Sequence, residues 1–171
     1  FVNEIYRTLF QYEETSDAPT SMSHSQILPL LSNRKQDFEH VQWRLSESFP
    51  KFLECSPKQA TDALIAVLES YVAKSHPPYR GQWEEESFTV EGHAATIRAD
   101  FSHSWDSGDL YRDDKPIKML NAFEGYILNA DQDGNSVITD SLLDLLMREN
   151  LLAVLWRRLL LWGAKRPQTI G

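Results

Sequence analysis

The stretch from Asp140 to Trp162 is so rich in leucine and tryptophan that it limits what the rest of the chain can be. Placed on a helix, Leu142, Leu145, Leu146, Leu152, Leu155, Trp156, Leu159 and Leu160 fall on more than one side, so one neighbouring element cannot cover them all. Such a segment is buried between layers or faces a partner, which predicts that the chain is a piece of something larger. Arg157 and Arg158 interrupt its most apolar run, Leu151 to Trp162, and that run is far shorter than the roughly 20 residues a membrane helix needs. Gly163 and Pro167 close it in the usual C-terminal pattern. Arg148-Glu149-Asn150 is the candidate break: with Asn150 in the left-handed conformation at a corner the segment is two packed helices, and without it one long rod.

Elsewhere apolar residues recur at helical spacing. Phe1, Ile5 and Leu9, with Val2, Tyr6 and Phe10, predict an opening helix to about Tyr12, followed by a polar connection over 13–21. A helix pair comes next, one short and apolar from Ser25 to Leu31, the other from Arg34 to Phe49. The second is expected to end at Pro50, because proline lacks a backbone donor and crowds the preceding turn. Ser56 as cap and Pro57 at the first helical position open a further helix, whose stripe of Ala63, Leu64, Val67, Leu68, Tyr71 and Val72 stops at His76-Pro77-Pro78.

The period then changes to alternation at Phe88 and Val90, and again at Ala95, Ile97 and Ala99, which predicts a β-hairpin over about 87–99. A two-stranded ribbon is marginal alone, so it must lie on the helices or join strands from elsewhere. Asp100 to Asp109 reads as a polar loop holding two aromatics, and Asp114 with Pro116 begins a helix that turns Ile117, Leu120, Phe123, Tyr126 and Ile127 inward. The expected fold is mainly α, an irregular, α-solenoid-like helical array with one hairpin: helices over 1–78, hairpin and loop over 79–110, helices over 111–171. No fixed-period repeat supports a regular solenoid.

A chain of 171 residues has room for one core, and 42% hydrophobic with 25% charged residues is a globular composition. The net charge of -8 and pI near 5.1 argue against diffuse binding to nucleic acid or anionic lipid, which needs basic surface. Arg157-Arg158 and Lys165-Arg166 are the one local basic candidate, and they also suit a helix C-terminus. Cys55 is the only cysteine, so no internal disulfide forms and the cytoplasm is the expected compartment; the thiol reads as a buried or half-buried packing residue. The start at Phe1 falls inside or against a folded element, and the close at Pro167-Gln168-Thr169-Ile170-Gly171 follows an apolar helix directly, both as expected of an excised piece.

Chemistry-bearing motifs are sparse. None of the seven glycines introduces Gly-Lys-Ser/Thr, and G-x-G-x-x-G, G-x-S-x-G and H-E-x-x-H do not occur. Asn129 to Asp140 compares with a calcium loop, since Asn129, Asp131 and Asp133 place oxygens at alternate positions before Gly134. Its twelfth position holds the short Asp140 and its first a neutral Asn129, so an Asx-rich turn is the expected reading and a calcium or metal-dependent module the alternative. His93, Asp100, His103 and Asp106 would form a metal or acid–base cluster only if the hairpin folded them together, and are expected to be exposed turn residues. His24, His40 and His76 read as surface or packing residues. Trp105 is expected to fold back onto the domain, with a partner anchor as the other reading. Trp105, Leu155, Trp156, Leu159 and Trp162 are the candidate partner contacts; no catalytic, cofactor or metal residue is assigned.

Three stretches carry a resemblance: Asp100-Phe101-Ser102-His103-Ser104-Trp105-Asp106, Met119-Leu120-Asn121-Ala122, and Leu152-Ala153-Val154-Leu155-Trp156-Arg157-Arg158-Leu159-Leu160 with Gly163 and Pro167. In this order they resemble the helical part downstream of the ATPase in large bacterial STAND-type NTPases of antiviral defence, the Avs-like proteins. The resemblance covers about the C-terminal half. It implies a cytoplasmic defence protein whose ATPase and effector lie outside these residues, and whose helical region helps recognise a phage protein and hold an oligomer. No ATP-site residue carries over. The function expected is therefore that of a non-catalytic scaffold and partner-recognition segment, contacting a protein partner or the remainder of its own chain.

Overall fold

The computed structural model describes residues 1–12, 33–78, 81–90, 93–106, 114–132 and 136–165. Over these it is mainly helical, with α1 (Val2–Gln11), α2 (Asn33–Cys55), α3 (Pro57–Ser75), the strands β1 (Glu85–Val90) and β2 (His93–Arg98), a 3-10 turn (Ser102–Asp106), α4 (Lys115–Gln132), α5 (Ser136–Glu149) and α6 (Ala153–Lys165). The short helix expected over 25–31 and the connection over 13–21 lie outside the described residues.

Helix α3 is the axis of the packing. Ala60, Ala63 and Ala66 keep its surface low while Leu64, Ile65, Val67, Leu68 and Val72 fill the gaps around it, and all are buried. Helices α1, α2, α4 and α5 each pack on α3. The irregular array is thus gathered around one central helix, and a single core cluster runs from Tyr6 through α3 to Trp162.

Helix α2 does not stop at Pro50. It continues to Cys55 with the proline inside it. An internal proline costs about 3 kcal/mol, but Phe49 and Leu53, one turn apart across it, are both fully buried, and each such side chain contributes roughly 1.5–3 kcal/mol. Phe52 adds a stacked contact with Tyr6 at 5.6 Å, and the Tyr6 hydroxyl donates to the Leu45 carbonyl at 2.9 Å. Burial raises the Tyr6 hydroxyl pKa, and a hydrogen bond with Ser48 opposes that rise. Packing on both sides of Pro50 therefore overrides the local penalty. Cys55, at the end of α2, is exposed, contrary to the expected burial. Ser56 holds the N-cap position with Pro57 following, but its side chain makes no capping bond; only its carbonyl accepts, from Ala60 N at 2.9 Å.

The hairpin forms with an unbroken antiparallel register, Glu85 opposite Arg98 through Val90 opposite His93. It lies on the helices, as a two-stranded ribbon requires: Phe88 meets Trp156 edge-on at 5.0 Å, and the Trp156 indole donates to the Thr96 carbonyl at 2.9 Å.

The leucine-rich segment is two helices, α5 and α6, divided at Asn150. The expected left-handed corner is absent: Phe101 is the positive-φ residue other than glycine among the described residues. Asn150 is instead fully buried and makes the corner with its side chain, Oδ1 accepting from Leu152 N at 2.9 Å. The turn brings α6 back against the hairpin and the 3-10 turn. As a result Leu142, Leu146, Leu152, Leu155 and Trp156 are covered by the chain itself, and the expectation of an uncovered leucine face holds only for Leu160 and Leu161. No helix among the described residues is long and apolar enough to cross a membrane.

Candidate protein-interaction surface

The three C-terminal stretches singled out in the sequence converge on α6. Asp100, expected to be exposed, is completely buried. Its Oδ1 accepts from Ser102 N at 2.9 Å and Ser102 Oγ at 2.6 Å, closing an Asx turn, while its Oδ2 accepts from Ala153 N at 3.2 Å. Ser102 Oγ in turn accepts from Val154 N at 2.9 Å. The first turn of a helix leaves its amides without intrahelical acceptors and carries the positive end of the dipole. Asp100 and Ser102 supply those acceptors from another part of the chain, and Arg98 N donates to the Leu151 carbonyl at 2.8 Å just before the helix begins.

The second anchor lies farther along α6. Arg158 Nη1 donates to Asn121 Oδ1 at 2.8 Å and to Glu124 Oε2 at 3.0 Å on α4. Arg158 is thus engaged in a tertiary contact, whereas a helix C-terminus was its expected place. Between α4 and α6 runs an apolar groove lined by Leu120, Phe123, Ile127, Leu128, Leu155, Leu159 and Trp162, with the Arg158–Glu124 pair at its edge. The indole Nε1 of Trp162 is buried and has no hydrogen-bond partner among the described residues. Leaving such a donor unpaired costs about 1–3 kcal/mol.

The five candidate partner contacts differ in how far they reach the surface. Trp105, Leu155, Trp156 and Trp162 are core residues of the chain, and Leu159 is half-buried. Trp105 folds back as expected, its indole donating to His76 Nε2 at 2.9 Å and its ring 4.8 Å from that of Tyr71. Tyr71 donates from its hydroxyl to Asp114 Oδ2, which fixes the start of α4. Of the five, Leu155, Leu159 and Trp162 contribute to the groove wall. Sequence periodicity missed Asn121 and Glu124, two acceptors of Arg158 on α4; the i, i+3 spacing is visible but their shared partner is not.

Among the described residues the candidate metal clusters do not come together. His103 is exposed and Asp100 is consumed by the α6 cap; the side chains of His93 and Asp106 lie outside the described residues. No group of three His, Cys, Asp or Glu among the described residues could hold a metal ion. In the calcium-loop candidate, Asn129 to Gln132 belong to α4 and Ser136 to Asp140 to α5, so the backbone is helical where such a loop must wrap around its ion. Residues 133–135 lie outside the description.

Comparison with known proteins finds no match: no protein-family model, no curated protein and no solved structure.

Proposed function

We propose that this chain is a non-catalytic scaffold and partner-recognition segment of an intracellular protein, and that its α4–α6 groove receives an amphipathic helix of a protein partner. The supporting observation is the apolar groove between α4 and α6, with Trp162, whose indole has no partner among the described residues, in its wall. The groove encloses only about 30 Å³, the room of a single water, far below the few hundred Å³ of a small-molecule pocket. An occupant must therefore lie along the groove. A helix with an apolar stripe does so, provided that it brings polar groups to the Arg158–Glu124 edge.

The same reading extends to the parent protein. The resemblance of the Asp100, Met119 and Leu152 stretches supports a helical region of a bacterial antiviral STAND NTPase acting in the cytoplasm, with a phage protein as partner. The hydrogen bonds from Ala153 to Asp100 and from Arg158 to Asn121 make those stretches one packing unit. That gives a structural reason for their co-occurrence without any catalytic chemistry.

A photo-crosslinking residue in place of Leu128, at the groove, tests the proposal in cells that make the protein. The expected result is a crosslink to one protein, through a helical segment of it, that disappears when Leu159 is replaced by Glu or, more mildly, by Gln. A crosslink that persists in folded Leu159 variants, or none above that from an exposed control site at Lys118, overturns it.

A further inference from the structure

The two edges of the hairpin are not equivalent. In the antiparallel register the backbone groups of Glu86, Phe88 and Val90 point toward β2, and those of Glu85, Ser87 and Thr89 point away from it. On β2 the corresponding outward residues are Ala94, Thr96 and Arg98. Two of them are already used by the chain: the Thr96 carbonyl accepts from Trp156, and Arg98 N donates to Leu151. The outer edge of β1 has no such cover among the described residues. The sheet has two strands among the described residues, and Glu85, Ser87 and Thr89 are exposed.

We propose that the outer edge of β1 is an acceptor for an extended segment of a protein partner, which adds a third strand to the hairpin. The proposal shares the premise that the chain works by partner contact but uses residues separate from the α4–α6 groove. Main-chain bonds to Glu85, Ser87 and Thr89 supply affinity in this mode, and alternate side chains supply selectivity. On one face of β1, Phe88 and Val90 are half-buried, with Phe88 already resting on Trp156, so the incoming residue beside Phe88 is apolar. Toward the start of the strand, Glu84, Glu85 and Glu86 are all exposed and only Glu85 has a described ion-pair partner, Arg98 at 3.3 Å. The complementary segment is therefore basic at that end.

Glutamates on an edge strand also serve to repel unwanted pairing. Here they occupy only the first half of the edge, while Ser87-Phe88-Thr89-Val90 carries no charge, no proline and no bulge. A protective edge would be guarded along its length; this one selects at one end and is open at the other.

Proline separates the edge from the hairpin itself. Ser87→Pro removes an outward N–H while leaving the β1–β2 backbone bonds intact, at the loss of the 3.4 Å side-chain bond between Ser87 and Thr96, and proline is compatible with an edge strand in that orientation. The probe is a peptide Val-Thr-Val-Thr-Lys-Lys-Lys, written for antiparallel pairing from Val90 to Glu84, with Val-Thr-Val-Thr-Glu-Glu-Glu as control. Hydrogen exchange of the Glu85, Ser87 and Thr89 amides is followed by NMR, and peptide affinity by titration. The expected result is at least tenfold slower exchange of these amides with the lysine peptide only, and at least tenfold weaker binding to Ser87→Pro at unchanged exchange of the Phe88 amide. Thr89→Pro is the second variant should Ser87→Pro disturb the hairpin. Equal binding of both peptides, equal binding by the proline variants, or protection of the edge amides by dimerisation of the free chain overturns the proposal. Leu128 crosslinking is read separately, so failure of the strand site leaves the groove reading standing, and the reverse.

Discussion

Asp100 caps a helix that begins 53 residues further along the chain, its Oδ2 accepting the Ala153 amide inside the protein. The bond joins the end of the hairpin to the start of α6, and Ser102 repeats the connection at Val154. A buried carboxyl group is tolerated in such a place because both of its oxygens accept from backbone or hydroxyl donors, three bonds in all, and because they face a helix N-terminus.

Asp100→Ala removes the acceptors for Ala153 N and for both Ser102 donors at once. It is expected to lower stability by about 2–3 kcal/mol, in the range of hydrogen bonds to charged groups, with Ser102→Ala costing about 1–2 kcal/mol. The double variant should lose less than the sum, since the two side chains share a bond. Urea unfolding at constant m-value measures all three; strict additivity would mean that Asp100 and Ser102 act independently.

Asn150 offers a test of how the α5–α6 corner is held. Because its side chain accepts from Leu152 N and its backbone is not left-handed, Asn150→Asp keeps the acceptor while Asn150→Gly loses it. Asn150→Gly is expected to cost about 1–2 kcal/mol, more than Asn150→Asp. A glycine variant as stable as the wild type would point to backbone conformation as the cause of the corner.

Much of this architecture was legible in the residues. The stripe from Ala63 to Val72 specified α3, and the alternation around Phe88 and Ala95 specified the hairpin, because both are local periodicities set by burial of one face. Three features were not legible. Pro50 predicts a helix end, and only the joint burial of Phe49 and Leu53 reverses it. Asp100-x-Ser102 has the form of an Asx turn, yet nothing local says that its spare acceptors serve Ala153 and Val154. The leucines of α5 and α6 resemble an unpartnered face because a linear pattern does not reveal that Asn150 folds one helix back toward the hairpin.

Phe101 carries backbone strain in the open. It has φ of 60° and is 66% exposed, so its ring recovers little of the roughly 1 kcal/mol that a left-handed conformation costs a residue with a Cβ. Phe101→Gly is expected to raise stability by about 0.5 kcal/mol after the greater unfolded-state entropy of glycine is counted, and Phe101→Val to lower it by about 1 kcal/mol. If chemical denaturation shows glycine destabilising, the exposed ring makes a contribution that its geometry does not suggest.

Glu69 on α3 sets the last prediction, which concerns pH. Burial raises its carboxyl pKa above the ordinary 4.5, and the cationic fields of Arg98 and Arg7 only partly oppose this. A folded-state value above the unfolded one means that the native protein holds the proton more tightly. Stability from this group is therefore fully present below the ordinary value and is lost as pH rises from there through the raised value. Asp62 shifts in the same direction, again chiefly through burial, so the wild-type curve contains both groups. The difference between wild type and Glu69→Gln isolates one. The two proteins should be nearly equal in stability near pH 4; as pH increases the wild type should fall below the variant, and above the raised pKa the gap should become constant. Thermal unfolding from pH 4 to 8 reads this directly. A variant less stable than wild type at pH 7 would show that attraction to Arg98 and Arg7 outweighs the cost of burial, and the sign of the shift would have to be reversed.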